Sequence, residues 1–374
     1  MAGQQQIGNC SERQTIKKTI VQYIAKQNIV SRNDIMQECG YSLPTVLQKV
    51  NELVDSGLVS EIGQSEWNGG RRAKLLAIVG DARYAVGVNI TRGHIELVLI
   101  GLDGNIVEQE RIRLKFEPNH TYYQQFKAEV NRFISANIPL EDRDKLLGVS
   151  ISIPGVLDYQ KKMLVRSHVL QVTNYSLKDI RDTMDCEVIF DNDANCAAYS
   201  EEKFRTSTAF YLSLNYTVGG AFSIDGKIFE GDYNKSSEVG HMTFMPGGKP
   251  CYCGKNGCVD SYCSARILGE GNLQEFFADL KAGRQDVVEC WNQYLKDLVT
   301  VIVNLRVMYD CDIIVGGHVG GFIREYMPRL QRMVMENDKF DIDASFLCCG
   351  THKWEASAYG AAMRLVDNFF ASVC

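Results

Sequence analysis

Apolar side chains at Ile16, Ile20, Val21 and Ile24 recur at helical spacing, so the chain from 12 to 26 is predicted helical, with Ser11 as N-cap and Asn28 as the break. A short second helix is expected over 33–39, opened by Ser31 and stopped by Gly40, whose left-handed conformation ends helices cheaply. A third starts at Ser42, tolerates Pro44 in its first turn, buries Val46, Leu47, Val50, Leu53 and Val54, and ends at Gly57. Strand-like runs at 58–62 and 74–79 flank the turn-rich stretch 63–72. Three helices and a β-hairpin within the first 80 residues are the plan of a winged helix-turn-helix.

Beyond Gly80 the pattern turns from helical to alternating. Strands are predicted at 84–89, 95–102 and 106–114, a helix over 122–137, and a buried strand over 147–153 ending at Pro154-Gly155. A strand at 187–190 runs into Asp191-Asn192-Asp193-Ala194-Asn195 and an alanine-rich helix. Runs 210–214 and 220–224 are expected to pair, strand 311–315 leads into Gly316-Gly317, and a helix over 356–370 closes the chain. The order β-β-β-α-β-α occurs twice, which implies two α/β lobes with a cleft between them. There is no short fixed-period repeat and no low-complexity tract.

Composition sharpens this picture at three points. A chain of 374 residues, 45% hydrophobic and 23% charged, suits two or three globular units. No stretch reaches the roughly 20 apolar residues of a membrane span, and residues 1–9 lack the apolar core of a secretory signal, so a cytoplasmic location without a membrane partner is expected. The net charge is −6, but residues 1–80 carry nine Lys/Arg against seven Asp/Glu while the rest carries 31 against 39. A mildly basic front on an acidic body fits a DNA-reading head on a small-molecule domain. Thirteen cysteines, two of them one residue apart at 251 and 253, argue for thiolates and metal rather than disulfides in such a chain.

In a winged helix-turn-helix the third helix enters the major groove of double-stranded operator DNA. Its expected solvent face is Ser42, Leu43, Thr45, Gln48 and Lys49, where Gln and Lys can pair with base edges and Ser, Thr and Lys with phosphates. The tip Asn68-Gly69-Gly70-Arg71-Arg72 offers Arg71 and Arg72 to a narrow minor groove. A solvated helix face and hairpin tip is the competing account of each residue taken alone.

The densest chemistry lies further on. Cys251, Cys253 and Cys258 sit in a Cys-x-Cys-Gly-x-x-Gly-Cys run, with His241 shortly before it. Three thiolates and an imidazole on a glycine-bent turn, with no carboxylate inside the run, suit a closed tetrahedral site, hence structural zinc.

Glu238-Val239-Gly240-His241, the Cys251–Cys258 run, Asn192-Asp193-Ala194-Asn195 and Ile153-Pro154-Gly155, in this order and spacing, resemble the ROK family of repressors and sugar kinases from about residue 84 to the end. The resemblance implies a two-lobed, actin-like sugar-kinase fold, α/β in class, behind the winged head. It implies three parts: a DNA-binding domain at 1–80, a small lobe at 81–195 plus 357–374, and a large lobe at 196–356 with the zinc site and the dimerisation surface. It places Asn192, Asp193, Glu238 and His241 against a sugar, with Asp260 where the family usually has Glu. A carboxylate accepting two vicinal hydroxyls makes charge-assisted hydrogen bonds, and a metal-bound histidine can present its second nitrogen to another.

In the family's kinases Asp193 would be the catalytic base. Here, however, the first phosphate loop, usually Asp-x-Gly-Gly-Thr, reads Asn89-Ile90-Thr91-Arg92-Gly93, and the second, usually Gly-Thr-Gly-x-Gly, reads Asn215-Tyr216-Thr217-Val218-Gly219. Phosphoryl transfer depends on backbone donors that such loops supply, and side chains at glycine positions are expected to occupy phosphate space. The expectation is a non-enzymatic, sugar-responsive repressor acting as a homodimer or dimer of dimers. Its rivals are an active hexose or amino-sugar kinase and a constitutive DNA-binding protein with a vestigial sugar site.

Overall fold

The structure, a computed structural model, describes residues 2–64, 74–160 and 162–373. Helix α1 (Ala2–Gln27) begins well before the predicted start, so position 11 falls inside the helix and not at its N-terminus. The added turns carry no apolar stripe and were invisible to a hydrophobic pattern. A two-residue strand β1 (Val30–Ser31) leads into α2 (Arg32–Cys39), capped at both ends as its sequence requires. Asp34 N–H donates to Ser31 Oγ at 3.2 Å, Ser31 N–H donates to Asp34 Oδ2 at 2.7 Å, and Gly40 turns left-handed at φ +72°. Then come α3 (Leu43–Asp55), β2 (Val59–Gln64) and β3 (Lys74–Ile78), with β3 central in a sheet of order β1-β3-β2. Ile20, Val21, Ile24, Ile35, Val46, Val50, Leu53 and Leu76 are fully buried where these elements meet. The hairpin tip with Arg71 and Arg72 lies outside the described residues.

The first lobe is built on β4 (Tyr84–Ile90), β5 (His94–Gly101), β6 (Ile106–Arg113), α4 (His120–Asn137) and β7 (Leu146–Ile153). A small sheet of β8 (Val156–Asp158), β9 (Met163–Ser167) and β10 (Val172–Ser176) follows, then α5 (Lys178–Arg181), β11 (Val188–Asn192) and α6 (Asp193–Tyr199). The second lobe comprises α7 (Glu202–Thr206), β12 (Ala209–Leu214), β13 (Val218–Ile224), β14 (Lys227–Ile228), α8 (Asp260–Cys263), α9 (Leu273–Lys281) and α10 (Gln285–Tyr309). It continues through β15 (Asp312–Gly316), α11 (Gly317–Ile323), α12 (Met327–Asn337) and β16 (Leu347–Cys349), and α13 (Ala356–Ser372) ends the chain.

The twofold order predicted from the pattern is present. The sheets run β11-β7-β4-β5-β6 and β14-β13-β12-β15-β16, each with three antiparallel strands followed by two parallel ones. The carboxyl ends of the parallel strands open on a shared cleft, the usual place for a ligand in such sheets. Helix α13 returns to the first sheet and packs on β4, β7 and α6. The approach is close: a Cβ on Gly87 of β4 would fall 1.7 Å from the Ala358 carbonyl oxygen, so only glycine fits there. The far end of α13, through Val366 and Phe370, joins one continuous apolar core with Ile20, Val21 and Ile24 of α1. No described helix is long and apolar enough to cross a membrane.

Candidate functional site

The Cys251–Cys258 run folds as a turn in which Gly254 and Gly257 adopt φ of +92° and +78°, conformations that side chains rarely accept. A Cβ on Gly257 would lie 1.7 Å from the Met245 carbonyl oxygen, so the turn also needs the missing atom. It gathers His241, Cys251, Cys253 and Cys258 with all donor atoms within 4.8 Å of one another. Cys253 Sγ and Cys258 Sγ are 3.7 Å apart, and Cys251 Sγ is 3.8 Å from His241 Nδ1. Metal–sulfur bonds of about 2.3 Å at tetrahedral angles hold thiolates about 3.8 Å apart, so the spacing is already that of a ligand shell. The chain therefore carries a His/Cys cluster with the spacing to hold a metal ion. Burial, with His168 and Lys255 nearby, lowers the His241 pKa and favours the neutral imidazole that a metal needs.

Since Nδ1 faces the sulfurs, Nε2 faces away, 3.5 Å from the Tyr252 hydroxyl. Both residues line a cavity of about 230 Å³ together with Asn192, Asp193, Glu238 and His168. Four of the five residues expected against a ligand are thus brought together. Asn192 is mostly committed to scaffolding: its Oδ1 accepts from Ala194 N–H at 2.8 Å and Asn195 N–H at 3.0 Å, and its Nδ2 donates to the Gly155 carbonyl at 2.9 Å. That arrangement caps α6 and fixes Asp193 at its first position.

The two acids are held away from their ordinary behaviour. Burial raises the Asp193 carboxyl to about 6; backbone N–H groups of Ala194 and Asp193 oppose the shift, and Glu96 adds to it. Glu238 is exposed where it opens on the cavity, yet the protein packed around its carboxyl, followed by repulsion from Asp193, raises it to about 7. Two carboxyls poised near neutrality, an imidazole and a phenol facing one small cavity can accept and donate to a polyhydroxylated ligand.

Residues 85–366 match the ROK family. The chain belongs to the ROK family. A xylose repressor of Bacillus spizizenii is 28% identical over 290 residues, covering 76% of this chain and 73% of its own length. The regulator NagC of Escherichia coli K12 is 24% identical over 267 residues, 69% of this chain and 65% of its own length. Among solved structures, a ROK family transcriptional regulator homologous to the E. coli MLC protein superposes over 96% of this chain and 98% of its own, with a TM-score of 0.72 at 20% identity. A ROK glucokinase from Streptomyces griseus, bound to glucose and AMPPNP, covers 75% of this chain and 98% of its own, with a TM-score of 0.63 at 18% identity. These likenesses establish the two-lobed ROK fold.

Three expectations are corrected by the geometry of this ROK chain. Asp260 does not line the cavity. It is fully buried, paired with Arg266, accepts Val218 N–H at 2.7 Å, and lies 3.4 Å from the Tyr252 hydroxyl. Its short side chain keeps the carboxylate inside the wall, where it braces Tyr252 instead of reaching a ligand. Lys49 is not on the open face of α3. It continues the stripe Val46-Lys49-Val50-Leu53, is buried, and binds both Glu52 oxygens at 2.8 Å, while Leu47 is 40% exposed in its stead. Ser42 and Gln48 do lie on the exposed side, with Thr45 half-buried, Ser42 Oγ 2.8 Å from Thr45 Oγ1 and Gln48 Nε2 donating to Glu52 at 3.2 Å.

The third concerns the loops at 89–93 and 215–219. Their side chains do not fill the space between the lobes. A second cavity of about 350 Å³ remains there, sharing Asp193, Pro154 and Asn215 with the first. His168 and Tyr252 are among the cavity residues that sequence reasoning missed. Tyr252 was hidden between two metal ligands, and His168 lies in the loop between β9 and β10 of the small sheet, which the hydrophobic pattern did not reveal.

Proposed function

We propose that this ROK protein is a sugar-responsive transcriptional repressor whose N-terminal winged helix-turn-helix binds operator DNA as a homodimer or dimer of dimers. The observation that carries the reading is the cavity in which Asp193, Glu238, His241 and Tyr252 converge, mechanically continuous with the head. The names of its relatives, xylose repressor and NagC, agree with it. A pyranose in the cavity would donate hydroxyls to Glu238 and Asp193 and meet His241 through Nε2. Zinc fits the donor set, because three thiolates and an imidazole at tetrahedral spacing complete its shell, so His241, Cys251, Cys253 and Cys258 would hold it. The metal supplies rigidity, fixing the ring of His241 and, through the turn, Tyr252.

The route outward starts at the loop bearing Asp193. Ser357 Oγ of α13 donates to the Asp193 carbonyl at 3.0 Å, and Arg364 of α13 meets Asp191 at 2.6 Å. The other end of α13 shares its core with α1. A shift of α13 with ligand occupancy would reorient the heads relative to two half-sites, provided the sugar binds the two arrangements with different affinity. Thermal-shift screening of monosaccharides and amino sugars tests the cavity: a true effector at about 100 times its Kd adds about 2.7 kcal/mol, and absence of any stabilising sugar refutes the proposal.

An active sugar kinase is the second reading, favoured by the open cavity beside Asp193. Against it stands the loss of the glycines that would cradle a triphosphate. ATP turnover on a hexose panel, abolished by Asp193→Asn, would reverse the choice.

A further inference from the structure

A third cavity, of about 210 Å³, lies beside the sugar cavity and shares Tyr159 and Glu230 with it. The sugar cavity is about 230 Å³, so the two chambers are nearly equal in size. Tyr159 follows β8 in the first lobe and Glu230 follows β14 in the second, so the partition draws on both lobes. Ile189, Phe190 and Asp191 of β11 line one wall of the third chamber. Successive side chains of a strand point to opposite faces, so a wall touching three in a row is the strand's edge. β11 is the outermost strand of its sheet, and such an edge presents backbone donors and acceptors that no ladder uses. Another wall is α13, through Arg364 and Asn368, one turn apart on one face of the helix.

Asp191 is fully committed. Tyr159 Oη donates to its Oδ1 at 2.6 Å, Asn192 N–H to the same atom at 2.7 Å, and Arg364 Nη2 lies 2.6 Å from Oδ2. The Arg364 guanidinium also sits 4.9 Å from the centroid of the Tyr199 ring. Its charge is thus answered, but its enclosed Nε has no hydrogen-bond acceptor among the described residues. Glu230 is exposed at the rim, within reach of both charges: the protein packed around its carboxyl and then Asp191 raise its pKa, and Arg364 opposes them. Asn368 is exposed on the same chamber. A guanidinium, a carboxylate, an amide and a strand edge supply the donors and acceptors that hold a polyol, whose hydroxyls do both. The tyrosine rings add apolar wall. One carboxylate is spent on the arginine and a second stands at the rim, so the chamber has no excess of positive charge, which argues against an anion.

We propose that the third chamber is a second sugar subsite, so that the effector is a glycoside of two units whose second unit rests on α13. The inference rests on the sugar-responsive reading above and extends it. One unit lies in the sugar cavity, the glycosidic link passes between Tyr159 and Glu230, and the second unit meets Arg364 and Asn368. Val366 and Phe370, on the other side of the same helix, belong to the core shared with α1. A ligand of this length touches α13 directly, without the loop bearing Asp193 as intermediary. Being tethered, the second unit binds as an intramolecular event and adds affinity even through few contacts.

The test is isothermal titration of the full-length, zinc-loaded protein with two sets of sugars. The first is glucose, xylose and N-acetylglucosamine; the second is maltose, cellobiose, xylobiose and diacetylchitobiose. At least one disaccharide is expected to bind about tenfold or more tighter than its own monosaccharide unit, or to bind where that unit alone does not. Asn368→Trp, which fills the chamber from an exposed helix position, should remove that gain and leave the affinity for the monosaccharide unchanged. Asn368→Ala and Arg364→Lys should each reduce the gain, since they withdraw single contacts. A monosaccharide that binds while no disaccharide binds tighter overturns the second subsite and leaves the sugar-responsive reading standing. A gain that survives all three substitutions also overturns it. Binding by no sugar of either length sinks the sugar-responsive reading itself.

Discussion

Under the proposed function, Glu238 and Asp193 would make sugar binding sensitive to pH in a way that can be worked out beforehand. Their carboxyls are raised to about 7 and about 6, so at pH 6 the free protein holds Glu238 mostly protonated and Asp193 about half so. A sugar hydroxyl donates to a carboxylate, and a protonated acid must first release its proton. If Glu238 must be ionised, affinity falls about tenfold between pH 8 and pH 6, about 1.4 kcal/mol, and a second requirement at Asp193 weakens it about twofold more. The two groups repel each other, so the measured midpoints belong to the pair. The sign for stability is opposite. A raised carboxyl stabilises the sugar-free protein fully below its unfolded value, and that contribution is lost as pH rises through about 6 for Asp193 and about 7 for Glu238. Sugar-free stability should therefore decline over the same window in which the sugar-induced thermal shift grows. Titration calorimetry between pH 5.5 and 8 in buffers of different ionisation enthalpy should show proton release on binding. Glu238→Gln should weaken binding at pH 8 and flatten the profile. Affinity that is constant, or tighter at low pH, refutes the assignment of these acids to the sugar.

The metal turn was readable because its chemistry is local: three cysteines and two glycines within eight residues define both ligands and bends. The two-lobed order was readable because strand alternation and helical spacing differ in period. Other features depend on neighbours far along the chain. Asp260 reads as a ligand-facing acid until Arg266 and the Val218 N–H are seen to claim it. Lys49 reads as a polar surface residue until the helix phase puts its stem between Val46 and Leu53 with Glu52 at its head. His168 reaches the cavity only because β8 to β10 fold back on the cleft, and those short strands carry little alternation. Whether replacing glycines closes a cavity is a question of volume between two lobes, which no loop sequence specifies.

Other expectations follow from the same contacts. Cys258→Ser, or strong chelation, should remove one equivalent of metal and weaken sugar binding about 10- to 100-fold, read by metal analysis and calorimetry, because the supports of His241 and Tyr252 are lost. Gln48→Ala should cost about 1–3 kcal/mol of operator affinity, whereas Lys49→Met should leave it nearly unchanged; fluorescence anisotropy separates an exposed reader from a buried stem, and equal losses would contradict that division. Gly87→Ala should destabilise the protein to urea by about 1–3 kcal/mol or more, since the new methyl meets the Ala358 carbonyl; unchanged stability would deny the close packing of β4 and α13.

The most direct measurement is a double titration of operator DNA and sugar on the same zinc-loaded protein, with ATP present and absent. A stabilising sugar should weaken operator binding, and operator should weaken sugar binding by the same factor, with no sugar phosphate formed. Operator affinity indifferent to every sugar that binds, or steady production of sugar phosphate from ATP, would contradict the account.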